Sequence, residues 1–231
     1  MTIRKIWIKM VTTRKGVRRI PISASSLTGN ILGAEFESSL ERDLMLLLVF
    51  DEHVDYFQPQ PVKIHYLSAE GKKRHYTPDV LVRFLADRPP LLCEVKPRKV
   101  LLEQADYFAP KFKAAEAYCA EQGWIFKVID DEEIRTPRLR NIQFLWNFYD
   151  PTGDDLYASD PHFWEIVNAC KAYGRPFQMN EILTDLYPNI EQRGVAINQW
   201  WTMVAQGTLI CDLEIPIGAQ TYFTLSESVQ Y

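Results

Sequence analysis

Cysteine and histidine are scarce in this chain of 231 residues, and neither is spaced for metal binding. The four cysteines (Cys93, Cys119, Cys170, Cys211) are scattered with no C-x-x-C pair, and His53, His65, His75 and His162 show no ligand spacing. That argues against a zinc site or a disulfide framework and fits a reducing, cytoplasmic setting. Long apolar runs are missing too. The run Leu44 to Phe50 is far too short to span a bilayer, so no membrane association is expected. The opening "MTIRKIWIKM" lacks the apolar stretch of a signal peptide. There are no internal repeats and no low-complexity tracts. With 47% hydrophobic residues the chain is not disordered, and its length allows two small domains.

The net charge of −4 conceals an uneven distribution. Residues 1–34 hold seven Lys or Arg and no acid, residues 35–135 carry a net −5, and residues 136–231 a net −6. A basic arm on an acidic body points to a local polyanion contact, or else to a solvated N-terminal segment.

Residues 36–50 carry Phe36, Leu40, Leu44, Leu47 and Leu48 on one helical face. Strands are expected at 61–67, 80–85 and 91–96. The last two are joined by "ADRPP" as an antiparallel hairpin, and Gly71 lies in a turn before them. A helix over 101–122 should break or kink at Pro110 and end at Gly123, before a strand at 124–130. The order over 36–130 is αβββαβ. A helical connector occupies 131–149, and the polar "DPTGDD" at 150–155 marks the expected domain boundary. Helices at 161–173, 178–187 and 190–206, then strands at 208–214 and 221–225, form the pattern of a winged-helix-like domain. The expected organisation is thus a basic arm at 1–34, an α/β domain with its connector at 35–149 and a C-terminal domain at 150–231.

The stretch "LLCEVKPRK" at 91–99 places Glu94 and Lys96 on one face of a strand. Asp79, in "HYTPDVLV", begins the preceding strand. In an antiparallel pair the start of one strand lies beside the end of the next, so Asp79, Glu94 and Lys96 can meet. Adjacent carboxylates repel, but they suit a hard divalent cation such as Mg²⁺, with Mn²⁺ as an alternative and one or two ions held. Lys96 would then orient or help deprotonate a water nucleophile, or offset phosphate charge. Glu41 lies close to the apolar side of the first helix, where an acid needs a partner. Taken singly, these residues have ordinary explanations: Asp after Pro as a turn residue, Glu-x-Lys as a solvated strand face, Glu41 as helix surface.

Taken together, in this order, they resemble the PD-(D/E)xK nuclease superfamily with its restriction-endonuclease-like fold. "FESSLERDLMLLLVFDEHVDYFQPQPVKI", "YTPDVLV" and "EVKP", with the upstream "VTTRKGVRRIPISASSLTGN", are similar to TnsA, the endonuclease subunit of Tn-seven-like heteromeric transposases, over roughly residues 10–130. The resemblance implies catalytic roles for Glu41, Asp79, Glu94 and Lys96, with the three acids as metal ligands. The Gln60-Pro61 step matches the family too. It further implies cleavage of the non-transferred strand at transposon ends, with double-stranded DNA, a DDE transposase (TnsB-like) and an AAA+ regulator (TnsC-like) as partners. Arg14, Lys15, Arg18, Arg19, Lys72, Lys73, Arg74, Arg98 and Lys99, with Lys111 and Lys113, are candidate phosphate contacts. Trp200 and Trp201 are expected to place at least one ring in a core. The acidic C-terminal domain suits docking on a protein, or DNA contact through a narrow patch. Two rivals stand beside this reading: a stand-alone restriction or repair nuclease, and a non-catalytic scaffold bridging transposase and regulator.

Overall fold

The computed structural model describes residues 12–13, 16, 29–68, 70–152 and 158–229. Arg14, Lys15, Arg18 and Arg19, and so most of the basic arm, lie outside them. The chain divides into two compact units, one ending at Thr136 and the other beginning at Pro137. The boundary expected at 150 thus falls earlier, and the helix at 137–145 goes with the second unit.

The first unit is built on a five-stranded sheet. Its members are β1 (Thr12–Thr13), β4 (Val54–Pro59), β7 (Val80–Phe84), β8 (Leu91–Val95) and β9 (Ile125–Ile129), in the order β1-β4-β7-β8-β9. β4, β7 and β8 run antiparallel in turn, whereas β8 and β9 are parallel. Parallel neighbours need a crossover, and α3 (Ala105–Gln122) supplies it. A short hairpin, β2 (Gly29–Ile31) and β3 (Ala34–Phe36), leads into α1 (Ser39–Val49). Phe57, Met45 and Leu92 are fully buried at the centre of the unit.

The mixed α/β fold expected from the sequence is present, with three local differences. Phe36 is the last residue of β3 rather than the first of the helix, because Ser38 caps α1 by accepting the Glu41 N–H at 3.1 Å. The first core strand is 54–59, not 61–67. The latter region forms β5 (Ile64–Leu67), which pairs with β6 (Lys73–Tyr76) as a separate hairpin. That hairpin rests on α3 through Ile64, beside Ala115 and Cys119. The helical segment after β8 breaks at Gln104, not at Pro110. α2 (Arg98–Glu103) ends there, and Pro110 sits inside the continuous α3. Gly123 ends α3 at φ 68°, as the sequence implied. α4 (Asp131–Ile134) closes the unit.

The second unit runs α5 (Pro137–Leu145), α6 (Pro161–Tyr173), β10 (Phe177–Gln178), α7 (Met179–Leu186), α8 (Ile190–Ala205), β11 (Leu209–Ile210) and β12 (Tyr222–Leu225), with sheet order β10-β12-β11. Trp200 and Trp201 are both buried, and each meets Phe223 edge-on. The strand expected at 208–214 is only two residues long. Beyond it the backbone is held by Asn141 of α5. The Asn141 amide donates to the Leu213 and Ile215 carbonyls at 2.8 and 2.7 Å, and its oxygen accepts the Ile217 N–H at 3.1 Å.

Candidate active site

The register of three neighbouring strands sets the site. Pro59 pairs with Val80, and Val80 pairs with Cys93. Asp79 and Glu94 are therefore neighbours one step further along, at the same end of the sheet, with Gln60 on the far side of Asp79 in that row. Two backbone bonds fix the row: Asp79 N–H donates to the Cys93 carbonyl at 3.1 Å, and Gln60 N–H to the Asp79 carbonyl at 2.7 Å.

Side chains lock Asp79 further. Its Oδ2 accepts the Val95 N–H at 2.7 Å and the Lys96 Nζ at 3.2 Å. The same ammonium lies 3.0 Å from Glu94 Oε1 and donates to the Val95 carbonyl at 3.0 Å. Asp79, Glu94 and Lys96 thus form one hydrogen-bonded cluster. Glu41 is also buried, but both its oxygens serve the start of α1. Oε2 accepts the Glu37 N–H and Oε1 the Ser38 hydroxyl, each at 2.9 Å.

Burial pushes all three acids toward their protonated forms. Glu94 rises to about 7, through burial first and the charge of Asp79 second, with Lys96 and Lys111 opposing. Asp79 rises because it is buried, although Lys96 and the Val95 N–H favour its charge. Glu41 rises by burial and then by the charge of Asp79, and Lys96 pulls the other way. Burial alone would lower Lys96, but Asp79 and Glu94 outweigh it and hold the ammonium above its ordinary value.

Among the described residues, no three Asp, Glu, His or Cys side chains converge closely enough to close around one ion. Lys96 Nζ stands between Asp79 and Glu94. The donor set nevertheless fits a hard divalent cation. Its members are carboxylates that burial and mutual repulsion leave short of positive charge, and the buried Glu94 Oε2 has no partner within the protein.

The basic candidates divide. Lys72, Lys73 and Arg74 are exposed on and before β6, and Lys113 is exposed on α3. Arg98 is committed to α4, pairing with Asp130 and Glu132 at 2.8 Å each. Lys99 lies 3.7 Å from Glu103 on its own helix. Lys111 lies over the Tyr107 ring at 3.7 Å, and its charge reaches Glu94.

Three further groups lie near the cluster; Glu37 and Tyr76 carry no signal in the sequence, and Gln60 stands out only through the Gln60-Pro61 step, with no role attached. The charge of Glu37 reaches Asp79, the Tyr76 hydroxyl is buried without a partner, and Gln60 Oε1 is in the same condition.

No curated protein matches the chain. Residues 51–131, which include Asp79, Glu94 and Lys96 but not Glu41, match the family described as TnsA-like endonuclease N terminal. The stretch from 51 to 131 is thus similar to the N-terminal domain of a TnsA-like endonuclease, which supports a nuclease module in this part of the chain.

Proposed function

We propose that this protein is the metal-dependent DNA endonuclease subunit of a heteromeric transposase, cutting the non-transferred strand at transposon ends. The observation that carries the reading is the Asp79–Lys96–Glu94 cluster within the matched residues. Asp79 and Glu94 would hold Mg²⁺ or Mn²⁺, with Glu41 joining them from α1. A cation there supplies charge stabilisation for the phosphoryl oxygens and eases ionisation of water. The oxygen of a water would attack phosphorus and one P–O ester bond would break; of the water's two protons one ends on the departing oxygen, making the hydroxyl, and the other passes to solvent or stays on the phosphate monoester. Lys96, kept as an ammonium by its two acids, acts as a donor that orients water and offsets phosphate charge; in that state it has no lone pair with which to take a proton. Val95 N–H holds Asp79 in place throughout.

The exposed Lys72, Lys73 and Arg74 are suited to the DNA backbone, whose phosphate contacts set position rather than sequence. In the second unit the elements from α6 to β12, three helices and a three-stranded sheet in the order α-β-α-α-β-β, support a winged-helix-like module. Its acidic sequence favours docking on a TnsB-like transposase or a TnsC-like regulator. Trp200 and Trp201 are both internal, so neither of these two is free to contact a base.

The test is partner dependence. Labelled transposon-end DNA is incubated with Mg²⁺, with and without the cognate transposase, using wild type and Asp79→Ala. Cutting of the non-transferred strand only with the partner, lost in the variant, supports the proposal. Efficient cutting without a partner moves the protein to the stand-alone nucleases, and excision unchanged by Asp79→Ala makes it a scaffold.

A further inference from the structure

Gln60 combines three features that a purely structural residue would not keep. Its backbone is left-handed, at φ 44°, immediately before Pro61, where an extended conformation is preferred. Its side chain is buried, with only 4% of the residue exposed. Its Oε1 has no hydrogen-bond partner. Glycine or asparagine would suit the backbone better, and leucine or methionine would suit the burial better. The position is also held from outside. A Cβ on Gly16 would stand 2.5 Å from the Pro59 carbonyl oxygen and 3.3 Å from Gln60 Cβ, so only glycine lets the chain close there. Strain and unmet polar groups of this kind collect at functional sites.

The row fixes the place: Gln60 is the neighbour of Asp79 across β4 and β7, on the side away from Glu94. An amide oxygen needs a donor or a cation. An ionised phosphodiester has no proton to give, whereas water has two. We propose that Gln60 is a positioning residue of the nuclease site. Its N–H anchors the main chain of Asp79, and its Oε1 is reserved for the water that attacks the phosphate. This inference rests on the nuclease reading.

The test uses the full chain carrying Gln60→Met, with Gln60→Asn as second variant and Asp79→Ala as control. Melting is read in EDTA, and strand cleavage in Mg²⁺ with the cognate transposase. Removing a buried acceptor without a partner should raise the metal-free melting temperature of Gln60→Met by about 2–5 °C. Losing the contact to water should slow its cleavage about 10–100-fold. Gln60→Asn tolerates the left-handed backbone; it should melt like wild type and still cleave more slowly, because its oxygen falls short. Full cleavage by either folded variant would overturn the inference, as would a lower melting temperature for Gln60→Met, which would mark the amide as structural. If wild type fails to cut, or Asp79→Ala cuts as well as wild type, the nuclease reading fails whatever Gln60 does.

Discussion

Val95 donates its backbone N–H to the Asp79 carboxylate at 2.7 Å, tying the acid just before β7 to the end of β8. This bond, with Lys96 on the same oxygen, allows an acid whose side chain is only 12% exposed to stay at this end of the hairpin. The cluster is therefore part of the sheet, and its disturbance should be visible in stability as well as in cleavage.

Lys96→Met leaves Asp79 and Glu94 side by side with no cation between them. Cleavage should fall at least about 100-fold, the scale of losing a group that acts on developing charge. The metal-free protein should lose about 2 kcal/mol, less than for a fully buried pair because the lysine side chain is 28% exposed. Urea unfolding in EDTA measures the second effect.

The pH dependence follows from the raised acids. Glu94 binds its proton more tightly in the folded protein, at about 7 against 4.5 when unperturbed. Between these values the folded state holds more protons than the unfolded one, so metal-free stability falls as pH rises through that window. The Glu94 contribution is at most about 3 kcal/mol, and Asp79 and Glu41 act with the same sign. Chemical unfolding in EDTA at pH 5, 6 and 7 should show the decline, and Glu94→Gln should flatten it. A stability that rises over this range would contradict the assignment.

Ser38 serves α1 twice, accepting the Glu41 N–H and donating to the Glu41 carboxylate. Ser38→Ala should reduce stability by about 1 kcal/mol through the lost cap. If Glu41 joins the metal site, the same change should also weaken cation binding, measured as a smaller Mg²⁺-induced rise in melting temperature. An unchanged rise would leave Glu41 as a helix-capping residue alone.

Asn141 has all of its amide bonds filled by the backbone of 213–217. Asn141→Leu removes them together and strands two carbonyls and an N–H, at about 2–4 kcal/mol. The second unit should melt earlier by calorimetry, while Mg²⁺ binding by the first unit is unchanged.

Much of the cluster was legible in the sequence, because it needs only local rules. Apolar runs over 80–85 and 91–96 and a short Pro-containing link point to a hairpin, and the hairpin brings Asp79 to Glu94 and Lys96. The strand at 54–59 was not legible. A register irregularity between Val54 and Tyr56 spoils its alternation, and it ends in prolines that read as loop. The regular stretch at 61–67 took its place. Gln104 broke the helix where Pro110 was expected to, since the helix accommodates a proline within its second turn better than periodicity suggests. The Gln60-Pro61 step was visible in the sequence but its role was not, because that depends on strand register and on the approach of Gly16, which no local pattern encodes.

The most direct measurement is strand-specific cleavage of labelled transposon-end DNA in Mg²⁺ with the cognate transposase, comparing wild type with Lys96→Ala of verified fold. A cut in the non-transferred strand that disappears in the variant is the predicted result. Equal cutting by both proteins would show that the cluster of Asp79, Glu94 and Lys96 is not the active site.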